Sequence, residues 1–135
     1  MKAGLRLKLL LIALGLAGAF VLVGNLAADL VVGRRPLQRG SLGFIDEMDV
    51  AVMHVILTGL PFFTLAVLAE TRRRAWNIAV LCLGFLWAFV IAQVWWDSLN
   101  NFAEGANIGL GLLMLAVPII LSVVLAVVSM RSRRP

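Results

Sequence analysis

A few polar side chains interrupt an otherwise apolar sequence in places where they could do chemistry: Asn25, Asp29, His54, Gln93, Asp97 and Asn107. Asn25 and Asp29 stand four residues apart, and Gln93 and Asp97 repeat that amide-then-carboxylate spacing. On a helix each such pair falls on one face. His54 beside either carboxylate would have the composition of a general-base pair. One imidazole with several carboxylates would suit an oxygen-rich divalent site better than structural zinc. The plainer reading is that acids near helix ends cap helices, meet headgroup water or pin neighbours through interhelical hydrogen bonds of about 0.6 kcal/mol each. No nucleophile motif accompanies the polar groups. Ser98 follows Asp97 as a turn residue, and Cys82, the sole cysteine, reads as a small apolar filler. The expectation is a protein that is not an enzyme and uses neither metal nor cofactor.

The elements that must position these side chains are legible from composition. The 135 residues are 62% hydrophobic and only 14% charged, with mean hydropathy +1.02. A soluble domain is about half apolar and about a quarter charged. Runs free of charge cover 9–28, 50–69, 75–96 and 105–130. Each has about the 20 residues needed to cross roughly 30 Å of hydrocarbon. The expected fold is all-α: an antiparallel four-helix integral membrane bundle. Residues 1–135 would form a single four-span transmembrane domain, with helices at about 9–32, 50–70, 75–97 and 106–130.

Orientation follows from Arg72, Arg73 and Arg74, the only strongly charged break in the middle of the chain. Short basic loops stay cytoplasmic. Lys2, Arg6, Lys8, Arg131, Arg133 and Arg134 then share that side, whereas Arg34, Arg35 and Arg39 share a loop with Asp46, Glu47 and Asp49. Both termini are expected in the cytoplasm of a plasma membrane, of the bacterial inner-membrane kind. This placement turns a pI of about 11.1 into a topology signal and argues against nucleic acid as a partner. Membrane lipids are the partners the basic side attracts, at about 1 kcal/mol per residue. Residues 1–8 resemble a signal n-region and Ala17-Gly18-Ala19 a cleavage site. The apolar run continues to Val32, too long for a secretory h-region, so an uncleaved anchor is expected.

With the arginine turn inside, Asn25, Asp29, His54, Gln93, Asp97 and Asn107 all gather in the outer third of the membrane. The inner half holds only Thr64, Asn77, Ser122 and Ser129. A proton relay or ion path needs polar groups across the full thickness, so a monomeric channel is disfavoured. Pro61 and Pro118 are expected to kink their helices, and Pro61 frees the carbonyl of Leu57, with Thr58 as its nearest partner. Gly18, sharing a face with Leu22, Asn25 and Asp29, would admit a neighbouring helix, and Gly105 with Gly109 forms a small-xxx-small pair. Trp76, Trp95 and Trp96 suit headgroup belts. In the loop 33–49, Leu42, Phe44 and Ile45 are apolar enough to dip into the interface.

The leading expectation is a small accessory or interaction protein, working through helix contacts as a homo-oligomer or within a larger membrane complex. The alternative is a small carrier or binding protein. Its outward polar pocket would take a lipid headgroup, small polar ligand or cation.

Overall fold

The computed structural model describes residues 2–33, 48–100 and 108–132, and every regular element among them is helical. The helices are α1 (Lys2–Val31), α2 (Met48–Val67), α3 (Arg73–Leu99) and α4 (Ile108–Arg131). Gly105, Asn107 and the apolar loop residues Leu42, Phe44 and Ile45 lie outside the described residues.

Helix α1 starts at Lys2 rather than near residue 9. Lys and Arg are good helix formers, and their long stems let the charge reach the interface, so the basic residues extend the apolar run. At 30 residues the helix is about 45 Å long. It stops where Gly33 takes φ 71° and its N–H donates to the Leu30 carbonyl at 3.1 Å.

Helix α2 stops at Val67, short of the expected residue 70. Ala69 adopts φ 49°. Its N–H donates to the Ala66 carbonyl at 3.0 Å, and the Glu70 N–H reaches the Leu65 carbonyl at 2.9 Å. This pair of backward bonds is a Schellman ending, with alanine in the left-handed position that usually takes glycine. Helix α3 ends at Asn100, whose Nδ2 donates to the Trp96 carbonyl at 2.9 Å.

Ala3–Val31, Arg73–Leu99 and Gly109–Arg131 are long and apolar enough to cross a membrane. The remaining helix, α2, has a shorter apolar stretch among the described residues, Ala51–Val67. It measures about 25 Å at about 1.5 Å per residue, and the turn at Ala69 sets its end.

Packing inverts the pattern of a water-soluble bundle. Ala13, Ala17, Ala66 and Ala79 are fully buried, while Phe85 is 75% exposed and Leu11, Leu112 and Ile120 are exposed too. In hydrocarbon a large apolar side chain gains nothing by turning inward. Small residues that let backbones approach are what helix interfaces select. Helix α1 lies chiefly against α2, with α3 on another flank, and α2 carries the main contact to α4. Phe20, Phe62 and Trp76 stack in series across α1, α2 and α3, with successive ring centroids 6.0 Å apart. Stacked rings of this kind add about 0.5–1.5 kcal/mol per pair beyond area burial.

Gly24 and Gly59 are closely packed, whereas Gly18 is open within this chain. A Cβ on Gly18 would meet nothing within 4 Å. At Gly24 it would collide with the Trp87 ring, and at Gly59 with the Phe63 ring and Ala17. The inward line of α1 is Ala13, Ala17, Val21, Asn25 and Ala28, so Gly18 and Leu22 fall off the buried face. Pro61 and Pro118 are both fully buried inside continuous helices. The Ser122 hydroxyl donates to the Pro118 carbonyl at 2.6 Å.

Candidate functional site

Asn25 and His54 come together. They line one cavity of about 310 Å³ to which all four helices contribute, α3 through Trp87 and Val94 and α4 through Leu110 and Met114. Its volume is at the lower end for a small-molecule pocket. Helix α1 reaches it because Gly24 lets the Trp87 ring lie against the backbone. The wall is mostly apolar, with Ala28, Met53 and Val90 completing it.

Hydrogen-bonding capacity is concentrated here. Trp87 Nε1 and His54 Nδ1 are buried and have no hydrogen-bond partner among the described residues. Trp87 as a whole is only 5% exposed. The prolines add acceptors. Pro61 lacks the N–H that would meet the Leu57 carbonyl, and Pro118 lacks the one for Met114, and both Leu57 and Met114 line this cavity. In a membrane such carbonyls need a partner. An apolar wall with an indole, an imidazole and an amide among its lining residues suits a largely apolar molecule with one polar head. It does not suit a hydrated ion.

The other expected site residues lie elsewhere. Asp29 is fully buried but does not line the cavity. Gln93 Nε2 donates to Asp97 Oδ1 at 2.9 Å, so the second amide–carboxylate pair bonds to itself. Gln93 faces a cleft of about 290 Å³ between α3 and α4, bordered by Phe89, Gly109, Leu110 and Leu113, and Leu110 also lines the Asn25–His54 cavity. Of the six expected site residues, Asn25 and His54 line one cavity, Gln93 and Asp97 pair with each other, and Asn107 lies outside the described residues. Among the described residues no three His, Cys, Asp or Glu side chains gather as a metal site would require.

A polar cluster at the other end of the bundle was not anticipated. Glu70 is only 4% exposed. Arg72 grips it through Nε at 2.9 Å and Nη2 at 2.8 Å, and the Arg72 backbone N–H adds a bond at 3.0 Å. Trp76 Nε1 donates to the Glu70 carbonyl at 2.8 Å. The Arg72 guanidinium holds the Glu70 carboxyl down to about 2 against the opposing effect of burial, with the Arg72 N–H and Ser129 adding to the depression. The sequence signal was present in principle: Glu70 is the one acid beside the basic triplet. Its partner two residues on is set by the Schellman turn, which the sequence does not announce.

Next to this cluster, Arg6, Thr71, Arg72 and Ser132 share a cavity of about 430 Å³. On the α1–α3 side a groove of about 550 Å³ runs from Leu16 to Arg73. Comparison with protein-family models, with curated proteins and with solved structures finds no match to this chain.

Proposed function

We propose that this small multi-pass membrane protein binds an apolar molecule carrying one hydroxyl or carbonyl oxygen, in the cavity between its four helices, without catalysing a reaction. The observation that carries this reading is that Trp87 and His54, whose Nε1 and Nδ1 are buried with no hydrogen-bond partner among the described residues, both line one cavity. A buried polar atom left unsatisfied costs about 1–3 kcal/mol, so an oxygen that meets it gains that much. The same cavity was first expected to be polar and to take a headgroup or cation. Its apolar wall supports the more lipophilic ligand.

In this reading the chain is an antiparallel bundle in a plasma membrane, of the bacterial inner-membrane kind, with both termini cytoplasmic and α2 crossing with the other three. The support is that one cavity gathers Arg6, Ala69, Arg72 and Ser132, and the other Asn25, His54, Val94 and Leu110. Each set takes one residue from the same end of each helix. The basic set is then the cytoplasmic one.

A photoreactive diazirine octanol, compared with the matching diazirine alkane, tests the binding reading in nanodiscs. The alcohol is expected to label residues around Met53 and Met114, and Trp87→Phe, which keeps an aromatic ring but removes the N–H, is expected to abolish the preference for alcohol over alkane. Equal labelling by the two probes in the unsubstituted protein would refute it.

A second reading, contact with another copy of the chain, has its own support. Gly15 and Gly18 are both open, with nothing within 4 Å of either Cβ position. Cross-linking that yields dimers in the unsubstituted protein and none in Gly18→Leu would favour it.

A further inference from the structure

The groove between α1 and α3 is built like a phospholipid site. Leu9, Ile12 and Leu16, at helical spacing on α1, face Val80 of α3 and form its apolar length. Thr71, Arg73 and Asn77 form its polar end, with Trp76 beside them. A tryptophan at this junction suits headgroup depth. The apolar part spans Leu9 to Leu16, about 10 Å of helix, which is the upper portion of an acyl chain.

Charge decides which headgroup. Glu70 is the only acid among the described residues of the 68–76 segment, and Arg72 holds it with both guanidinium bonds. Arg73 therefore keeps its charge unopposed at the mouth of the groove, with Arg74 next to it and exposed. Arg72 at the N-cap position makes no side-chain cap bond and the first turn of α3 contains no acid, so Glu70, held on the Arg72 N–H, is the only anion at this helix start among the described residues. Two arginines at the positive end of a helix repel its dipole, and an anion there relieves both. Zwitterionic lipid carries a choline or amine that this end would reject.

We infer that the α1–α3 groove binds one anionic glycerophospholipid, its phosphate at Arg73 and Thr71 and an acyl chain along Leu9, Ile12, Leu16 and Val80. The groove shares no lining residue with the Asn25–His54 cavity, so either assignment stands if the other fails.

The test is native mass spectrometry of the full chain released from nanodiscs of equal parts phosphatidylcholine and phosphatidylglycerol. The unsubstituted protein is expected to retain one phosphatidylglycerol in preference to phosphatidylcholine. Arg73→Gln should reduce that retention about fivefold, the effect of one basic contact at the surface, and Arg73→Lys should largely restore it. Arg74→Gln removes the same charge outside the groove and should leave retention within about twofold, as screening of a purely long-range effect allows. Val80→Trp should displace the lipid while Arg73 remains. Equal losses in Arg73→Gln and Arg74→Gln would reduce the site to a generic basic field and overturn the inference. Equal retention of both lipids, or displacement of the lipid by free glycerol phosphate, would overturn it as well, the latter by showing that the acyl chain contributes nothing.

Discussion

The Glu70–Arg72 pair makes a quantitative prediction about acid. The Glu70 carboxyl is lowered from 4.5 to about 2, so the folded state holds its proton more weakly than the unfolded state. A depressed carboxyl contributes stability above its unfolded value, and that stability is lost as pH falls through the folded value. The window is therefore about 4.5 down to about 2. At about 1.36 kcal/mol per unit the full shift corresponds to roughly 3 kcal/mol. The Arg72 side chain is 47% exposed although that of Glu70 is 5% exposed, so solvent screening reduces the expected loss to about 1–2 kcal/mol. Thermal unfolding in a non-ionic detergent, followed by circular dichroism at steps from about pH 5 to about pH 2.5, would read most of it. Glu70→Gln should start less stable and then decline less steeply. Every other carboxyl is common to the two proteins, so the difference between the two curves belongs to Glu70. Arg72→Ala should cost more than Glu70→Gln at neutral pH, because it leaves a carboxylate buried without its cation. That extra cost should shrink as acid neutralises Glu70. Parallel curves for the unsubstituted protein and Glu70→Gln would refute the reasoning.

Backbone positions give sharper contrasts. Gly24→Ala should destabilise by about 1–3 kcal/mol, the usual cost of overpacking, because its Cβ meets the Trp87 ring, whereas Gly18→Ala, with open space around it, should be neutral or stabilising by up to about 1 kcal/mol. Thermal melts of the two variants side by side check this. Ala69→Gly should stabilise by about 1 kcal/mol, since alanine at φ 49° bears the left-handed penalty that glycine avoids. A rise in melting temperature is the expected result, and a fall would mean that the Schellman ending is not the folded geometry. For orientation, Ser132→Cys in a Cys82→Ala background should react with a membrane-impermeant maleimide only after cells are opened. Labelling of intact cells would reverse the assigned sides.

Position along the helices, counted from their charged ends, was legible in the sequence. The apolar runs fix how far each residue lies from a charged end, and Asn25 and His54, threaded to neighbouring depths, do meet in one cavity. Helix ends were less legible. The stop of α2 depends on Ala69 taking a conformation for which glycine would have been the usual signal. The start of α1 depends on how long Lys and Arg stems extend a helix past its apolar run.

Rotation about each helix axis was the part that sequence alone could not supply. In water, apolar periodicity shows which face turns inward. Here all faces are apolar, and small and large residues share the buried one: Ala13, Ala17 and Ala79 lie inside together with Leu83 and Trp87, while Phe85 lies outside. On α3 the buried face sets Trp87 toward the Asn25–His54 cavity. Gln93, six positions on, projects about 120° away at about 3.6 residues per turn, toward the cleft with α4. The shared amide–carboxylate spacing suggested one pocket, yet that spacing fixes only which residues align along a single helix. The same error of angle put Gly18 on the buried face of α1 when Ala17, its neighbour, holds that place.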